Sequence, residues 1–223
     1  MTMFSLAKPV LRRISLGAIS LVAALFLQAG AKGEQPVDLV IVAGQSNAVG
    51  YDARPDELPR DDTDRNILFW WRCGDPPPDA HDSTSGGEWT HLQPQPLGDP
   101  KQPKQGRQYG NFAQPQGGFG PEIGLARAIY GREQRQVAVV KVAFSGTSLQ
   151  RDWNHADPGE GGACYRALVE ETRTAVAAAK KQGIVLRPRA LAWVQGESDA
   201  NAKDAGRYAH TLGAMLAALR RDL

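Results

Sequence analysis

The run Val137-Ala138-Val139-Val140-Lys141-Val142-Ala143-Phe144 constrains this chain more than any other stretch. It is rich in β-branched residues and nearly continuous in apolar ones, which predicts a strand buried on both faces. Such a strand needs a covering layer on each side of its sheet. It ends in the small-residue turn Ser145-Gly146-Thr147-Ser148. Two other runs have the same form. Val40 to Ala43 predicts a buried strand that stops at Gly44 and runs into Gln45-Ser46-Asn47. Arg189 to Val194 predicts a strand that ends in Gln195-Gly196-Glu197-Ser198-Asp199. Ile67 to Arg72 adds a fourth strand, nearer a sheet edge.

Helices alternate with these strands. Gly120-Pro121-Glu122 is a helix start, with proline at the first helical position and an acid in the first turn. Ile123, Ala126, Ile129 and Tyr130 follow at helical spacing, and Gly131 is expected to close that helix. A second helix is expected over Cys164 to Gln182, stopped by Gly183. A third is expected over Ala202 to Arg221, burying Tyr208, Leu212, Met215, Leu216 and Leu219. Alternation of this kind predicts an α/β fold, with a mostly parallel sheet covered on both faces. Gly118, Gly120 and Gly124 imitate a dinucleotide fingerprint, but no strand immediately precedes them and no acid follows at the required place. Gly74 to Gly118 is rich in Pro, Gln and Gly. It is expected to pack as a loop through Trp89, Leu92 and Leu97, and to help wall a site.

The amino terminus belongs to a different class of segment. Lys8, Arg12 and Arg13 precede the apolar stretch Ile14 to Leu27, and Ala29-Gly30-Ala31 follows as an A-x-A cleavage site. Residues 1–31 are therefore expected to be an export signal, and the apolar stretch is short for a membrane span. The remainder, 32–223, is expected to act in the periplasm or outside the cell, with no stable membrane insertion after cleavage. The chain carries 26 basic and 24 acidic side chains. Three of the basic ones precede residue 32, so the remainder is slightly acidic. No basic run with interleaved aromatics remains to bind nucleic acid. The two cysteines, Cys73 and Cys164, are free to pair in an exported protein, and the sequence leaves that open. No Cys/His grouping has zinc spacing, no loop has calcium spacing, and no cofactor is indicated.

In a parallel sheet the three small-residue turns fall on one rim, at the carboxyl ends of the strands, where open α/β sheets bind ligands. Acyl transfer needs a nucleophile, a base and donors aimed at the developing oxyanion. Ser46 suits the nucleophile. The N–H groups of Ser46 and Gly146 and the side-chain amide of Gln195 suit the oxyanion. Glu197 suits orientation of the Ser46 turn or of a partner side chain. Ordinary polar satisfaction of a loop explains Gln195 and Glu197 equally well.

Four blocks in order carry a resemblance: Gly44-Gln45-Ser46-Asn47 with Gly50; Phe119-Gly120-Pro121-Glu122; Lys141 to Leu149 with Trp153; and Trp193-Val194-Gln195-Gly196-Glu197-Ser198-Asp199. Together they resemble the sialate O-acetylesterase-like carbohydrate esterases of the SGNH hydrolase group. The resemblance implies a flavodoxin-like three-layer α/β/α sandwich and metal-independent hydrolysis of O-acetyl esters on sugars, such as acetylated polysaccharide or sialic acid. It assigns Ser46 as nucleophile and matches Gly146 and Gln195 to the oxyanion positions. The same families place their base histidine in a carboxyl-terminal Asp-x-x-His block after a further strand. That block, its strand and the closing helix have no counterpart in this sequence, which is expected to be carboxyl-terminally incomplete. Asp152-Trp153-Asn154-His155 has the spacing but not the position. His210 falls in the last helix, and His81 and His91 fall in the long loop. The competing expectations are a non-catalytic carbohydrate-binding remnant that keeps the rim and the aromatics Trp89 and Trp153, or an inactive, marginally stable fragment that lacks the carboxyl-terminal Asp/His block.

Overall fold

The computed structural model describes residues 35–78, 81–96 and 110–223. The expected leader, residues 1–31, lies outside them, as does Leu97. The elements run β1 (Val37–Gly44), α1 (Ser46–Val49), β2 (Ile67–Gly74), β3 (Ser83–Thr84), β4 (Thr90–His91), α2 (Glu122–Glu133), β5 (Val137–Phe144), α3 (Ala163–Lys181), β6 (Leu186–Val194) and α4 (Tyr208–Asp222). The sheet order is β3-β2-β5-β1-β6, with β4 also paired to β2. Strands β2, β5, β1 and β6 are parallel, whereas β3 and β4 join β2 antiparallel. The two short strands come from the described part of the Pro/Gln/Gly-rich segment, where Leu92 is buried and Trp89 packs against the core at the end of β2 away from the three turns.

Alternation along each strand divides the core. Leu39, Ile41, Ala138, Val140, Val142 and Phe144 face one layer, filled by α3 and α4. Val40, Val42, Phe69, Trp71, Val137 and Val139 face the other, filled by α1 and α2. Every residue of β5 is buried, as a central strand between two helical layers requires. Cys73 belongs to the α2 layer and Cys164 to the α3 layer. The sheet stands between them, and both thiols are free. Burial pushes the Cys73 thiol up to about 12.

Two helix boundaries differ from expectation. Helix α2 continues through Gly131 to Glu133, and Gln134 takes the left-handed cap at φ 50° with its N–H on Tyr130 O. Helix α4 begins at Tyr208 rather than Ala202. The Asn201 side-chain oxygen accepts the N–H groups of Lys203 and Asp204, a local turn that competes with helix. The expected buried face of α4 is observed, with Met215 and Leu219 in the core and Tyr208, Leu212 and Leu216 packed against it.

Strand β6 pairs with β1 on one side, and among the described residues no strand covers its other side. Residues Arg187 to Ala190 on this edge are exposed. Among the described residues no helix is long and apolar enough to cross a membrane.

Candidate active site

Strand register brings the three turns to one rim. Gly44 pairs with Ala143 of β5 and with Val194 of β6, so the chain leaves all three strands at the same level. The fit at Gly44 is close: its φ is 147°, and a Cβ there would lie 1.9 Å from Val194 O. Beyond it, Gln45 N donates to Val194 O at 3.0 Å and the chain turns into the one-turn helix α1. Gly50 closes α1 at φ 84°, where a Cβ would lie 1.9 Å from Phe119 O.

Ser46 is the first residue of α1 and is partly exposed. Its carbonyl accepts Gly50 N at 2.9 Å and Tyr51 N at 3.1 Å. Among the described residues, neither its hydroxyl nor its N–H has a hydrogen-bond partner. On the neighbouring strand, Gly146 is exposed at φ 69° with nothing within 4 Å of a Cβ. Its N–H is likewise without an acceptor among the described residues. A free hydroxyl and two unpaired backbone donors thus stand at adjacent strand ends.

Gln45, nearly fully buried, ties the first turn to the third. Its Oε1 accepts Gln195 Nε2 at 3.1 Å, Gly196 N at 3.4 Å and Ser198 N at 3.5 Å. Gln195 Nε2 also lies 3.0 Å from Thr147 O and 2.6 Å from Asp199 Oδ2. Three acceptors therefore surround its two hydrogens, and the amide is turned into the protein rather than towards open space. Asp199 is buried and accepts Leu149 N at 2.7 Å and Gln150 N at 3.2 Å, which joins the third turn to the second. Tyr208 Oη lies 2.6 Å from Gln195 O and 2.9 Å from its Oε1, and accepts Trp193 Nε1 at 3.0 Å. Burial pushes the Tyr208 phenol up, against the Trp193 hydrogen bond. At the surface of this network Asn47 Nδ2 donates to Glu197 Oε1.

The structure therefore brings Ser46, Gly146, Gln195 and Glu197 to one rim. Among the described residues no hydrogen bond joins Ser46 to His91, His155 or His210. Asp152 accepts Ser148 N at 2.7 Å and pairs with Arg151 at 2.9 Å, not with His155. His155 instead packs edge-on against Tyr165 of α3, and its buried Nδ1 has no partner. Neither aromatic of the sugar-binding expectation is shown on the rim: one is fully buried, and the other, partly buried, lies away from it. Trp153 is fully buried between Phe144 and Trp193 and donates to Thr147 Oγ1 at 2.9 Å. Trp89 packs against Trp70 and donates to Ala175 O at 2.9 Å, near the opposite end of β2, where β4 pairs with Leu68.

Sequence reasoning misses the network roles of Gln45, Asp199 and Tyr208. Gln45 and Asp199 lie inside two of the turn motifs, Tyr208 reads only as a buried residue of the last helix, and the one available signal is a carboxylate next to a strand end, which needs donors if buried. Among the described residues no cluster of His, Cys, Asp and Glu has the geometry to hold a metal.

Residues 36–223 match the family described as carbohydrate esterase, sialic acid-specific acetylesterase. No curated protein sequence matches the chain. Among solved structures, the Arabidopsis thaliana protein AT4G34215 is similar in fold, with TM-score 0.53 at 20% identity over 84% of this chain and 69% of that one. XAC1771, a carbohydrate acetylesterase from Xanthomonas citri, gives TM-score 0.47 at 15% identity over 83% of this chain and 38% of that one. With the family match running from the first strand to the last helix, the chain belongs to the carbohydrate esterase, sialic acid-specific acetylesterase family.

Proposed function

We propose that this chain is an exported serine esterase that removes O-acetyl groups from carbohydrate through an acetyl-Ser46 intermediate. The observation that carries this is the free Ser46 hydroxyl beside two unpaired N–H groups, its own and that of Gly146. In the reaction, Ser46 Oγ attacks the acetyl carbonyl and gives its proton to a base. The carbonyl oxygen takes the negative charge and is met by the Ser46 and Gly146 N–H groups. The sugar oxygen leaves with a proton, and water then releases acetate from Ser46.

Gln195 is the third candidate donor. To serve, its amide must release one of Gln45, Thr147 and Asp199, so the two backbone donors are assigned the larger share. Glu197 orients the Ser46 turn through Asn47. The resemblance implies a histidine base, and none of the four described histidines is assigned to it. A sugar-binding role at this rim draws no support from Trp89 or Trp153, because Trp153 is fully buried and Trp89 lies near the opposite end of β2.

Acetate release from an activated acetyl ester and from acetylated xylan tests the proposal. Wild-type turnover is expected to be abolished by Ser46→Ala, by roughly a thousandfold or more, and retained in His155→Ala. A folded wild-type chain that releases no acetate would overturn it. Export is tested separately: protein recovered outside the cytoplasm should begin near Lys32.

A further inference from the structure

We propose that Lys141, in the middle of β5, is a positioning residue for the nucleophile turn. Lys141, Glu122 and Gln95 are all fully buried. The Lys141 ammonium donates to Val49 O at 2.8 Å, Gln95 Oε1 at 2.5 Å and Glu122 Oε1 at 3.1 Å. That is one acceptor for each of its hydrogens. Glu122 Oε1 also accepts Gly120 N at 2.8 Å and Gln95 Nε2 at 3.1 Å. A Cβ at Gly120 would lie 2.3 Å from Ala48 O, so the segment before α2 lies directly against α1.

Val49 ends α1, and the next N–H, Gly50, donates to Ser46 O at 2.9 Å. The buried charge thus reaches the carbonyl of Ser46 through one peptide group and one further hydrogen bond. Lys141 also belongs to the strand whose end carries Gly146. The ammonium therefore ties the nucleophile to the strand bearing the proposed oxyanion donor.

Stability alone is a poor reason for this arrangement. Desolvating two charges offsets most of their attraction, and apolar residues of equal volume often stabilise as well. No apolar residue, however, can donate to Val49 O. A single helical turn has too few internal bonds to hold its own geometry, and Lys141 supplies the missing anchor.

The proposal rests on the esterase assignment of Ser46, and its test separates the two. In native-state hydrogen exchange of the wild type, the N–H groups of Gly50 and Tyr51 should open only with the strands of the sheet. Exchange as fast as that of exposed turns would overturn the anchor whether or not the chain turns over. In Lys141→Met/Glu122→Gln, which removes both charges, kcat should fall about a hundredfold at nearly unchanged KM. Peptide 45–51 should exchange faster while β5 does not. A double variant with wild-type kcat and wild-type exchange would also overturn it. A folded wild type that is protected at Gly50 yet releases no acetate would sink only the esterase assignment.

Discussion

Asn47 and Glu197, 150 residues apart in sequence, meet through a side-chain hydrogen bond beside Ser46. Both are exposed, so the contact contributes little to stability, and its effect is on where α1 sits relative to the third turn. Glu197→Ala is expected to lower kcat about tenfold through loss of orientation while leaving the melting temperature within a degree or two. Steady-state kinetics beside thermal unfolding checks this. A fall in melting temperature matching the loss of rate would point to folding instead.

Asp199 is the opposite case, a buried carboxylate with two backbone donors and the Gln195 amide around it. Asp199→Ala leaves the Leu149 and Gln150 N–H groups unpaired, while the Gln195 amide keeps Gln45 and Thr147, and is expected to cost about 3 kcal/mol. Urea unfolding measures the loss. Asp199→Asn should recover part of it, because one amide oxygen still accepts while the charge is gone.

Cys73 and Cys164 lie on opposite faces of the sheet, so neither should react with a thiol reagent in the native state, and both should react in denaturant. Burial raises the Cys73 pKa to about 12 from an ordinary value of 9.0. A group whose pKa is raised on folding stabilises the native state fully below its unfolded pKa. That contribution declines as pH rises towards the folded value. Stability should therefore fall between pH 9 and 12, and Cys73→Ala should flatten part of the fall in urea titrations.

Asp38 has the reverse sign. Burial opposes its ionisation, but the Arg187 hydrogen bond and the charges on Arg135, Arg187 and Arg189 outweigh that and lower its pKa. A carboxyl lowered on folding contributes stability above its unfolded value, near 3.8, and loses it as pH falls through the lower folded one. Asp38→Asn should therefore cost stability at pH 6 and little at pH 2. Urea midpoints at the two values give the difference.

The sheet was legible because its strands have one dominant cause. Val137 to Phe144 and Val40 to Ala43 are apolar and β-branched, and nothing else suits such runs in a covered sheet. The three turns followed directly, since parallel strands place their carboxyl ends together. The α4 start was not legible. Ala202 to Arg207 has helix-forming composition, and one side chain, Asn201, diverts the backbone. Lys141 was hidden differently. Within an apolar run a lysine reads as a tolerated exception, and the partners that make it meaningful, Gln95 and Glu122, lie in segments distant from it and from each other. Gln195 shows the limit at the site itself. Its residue type and position suggested a donor facing substrate, whereas the direction of its amide depends on Gln45, Thr147 and Asp199 together.

Among the described residues no strand pairs with the outer side of β6, and this bears on how the chain behaves at high concentration. An unpaired strand offers its N–H and C=O groups to any other chain, and proline and charged side chains blunt that offer. Here Arg187, Pro188 and Arg189 guard the first half of the edge, while Ala190 to Val194 carries no such guard. Self-association, where it begins, should begin at the unguarded half, next to the turn that carries Gln195 and Glu197. Colloidal stability and access to the proposed catalytic rim are thereby linked through one strand.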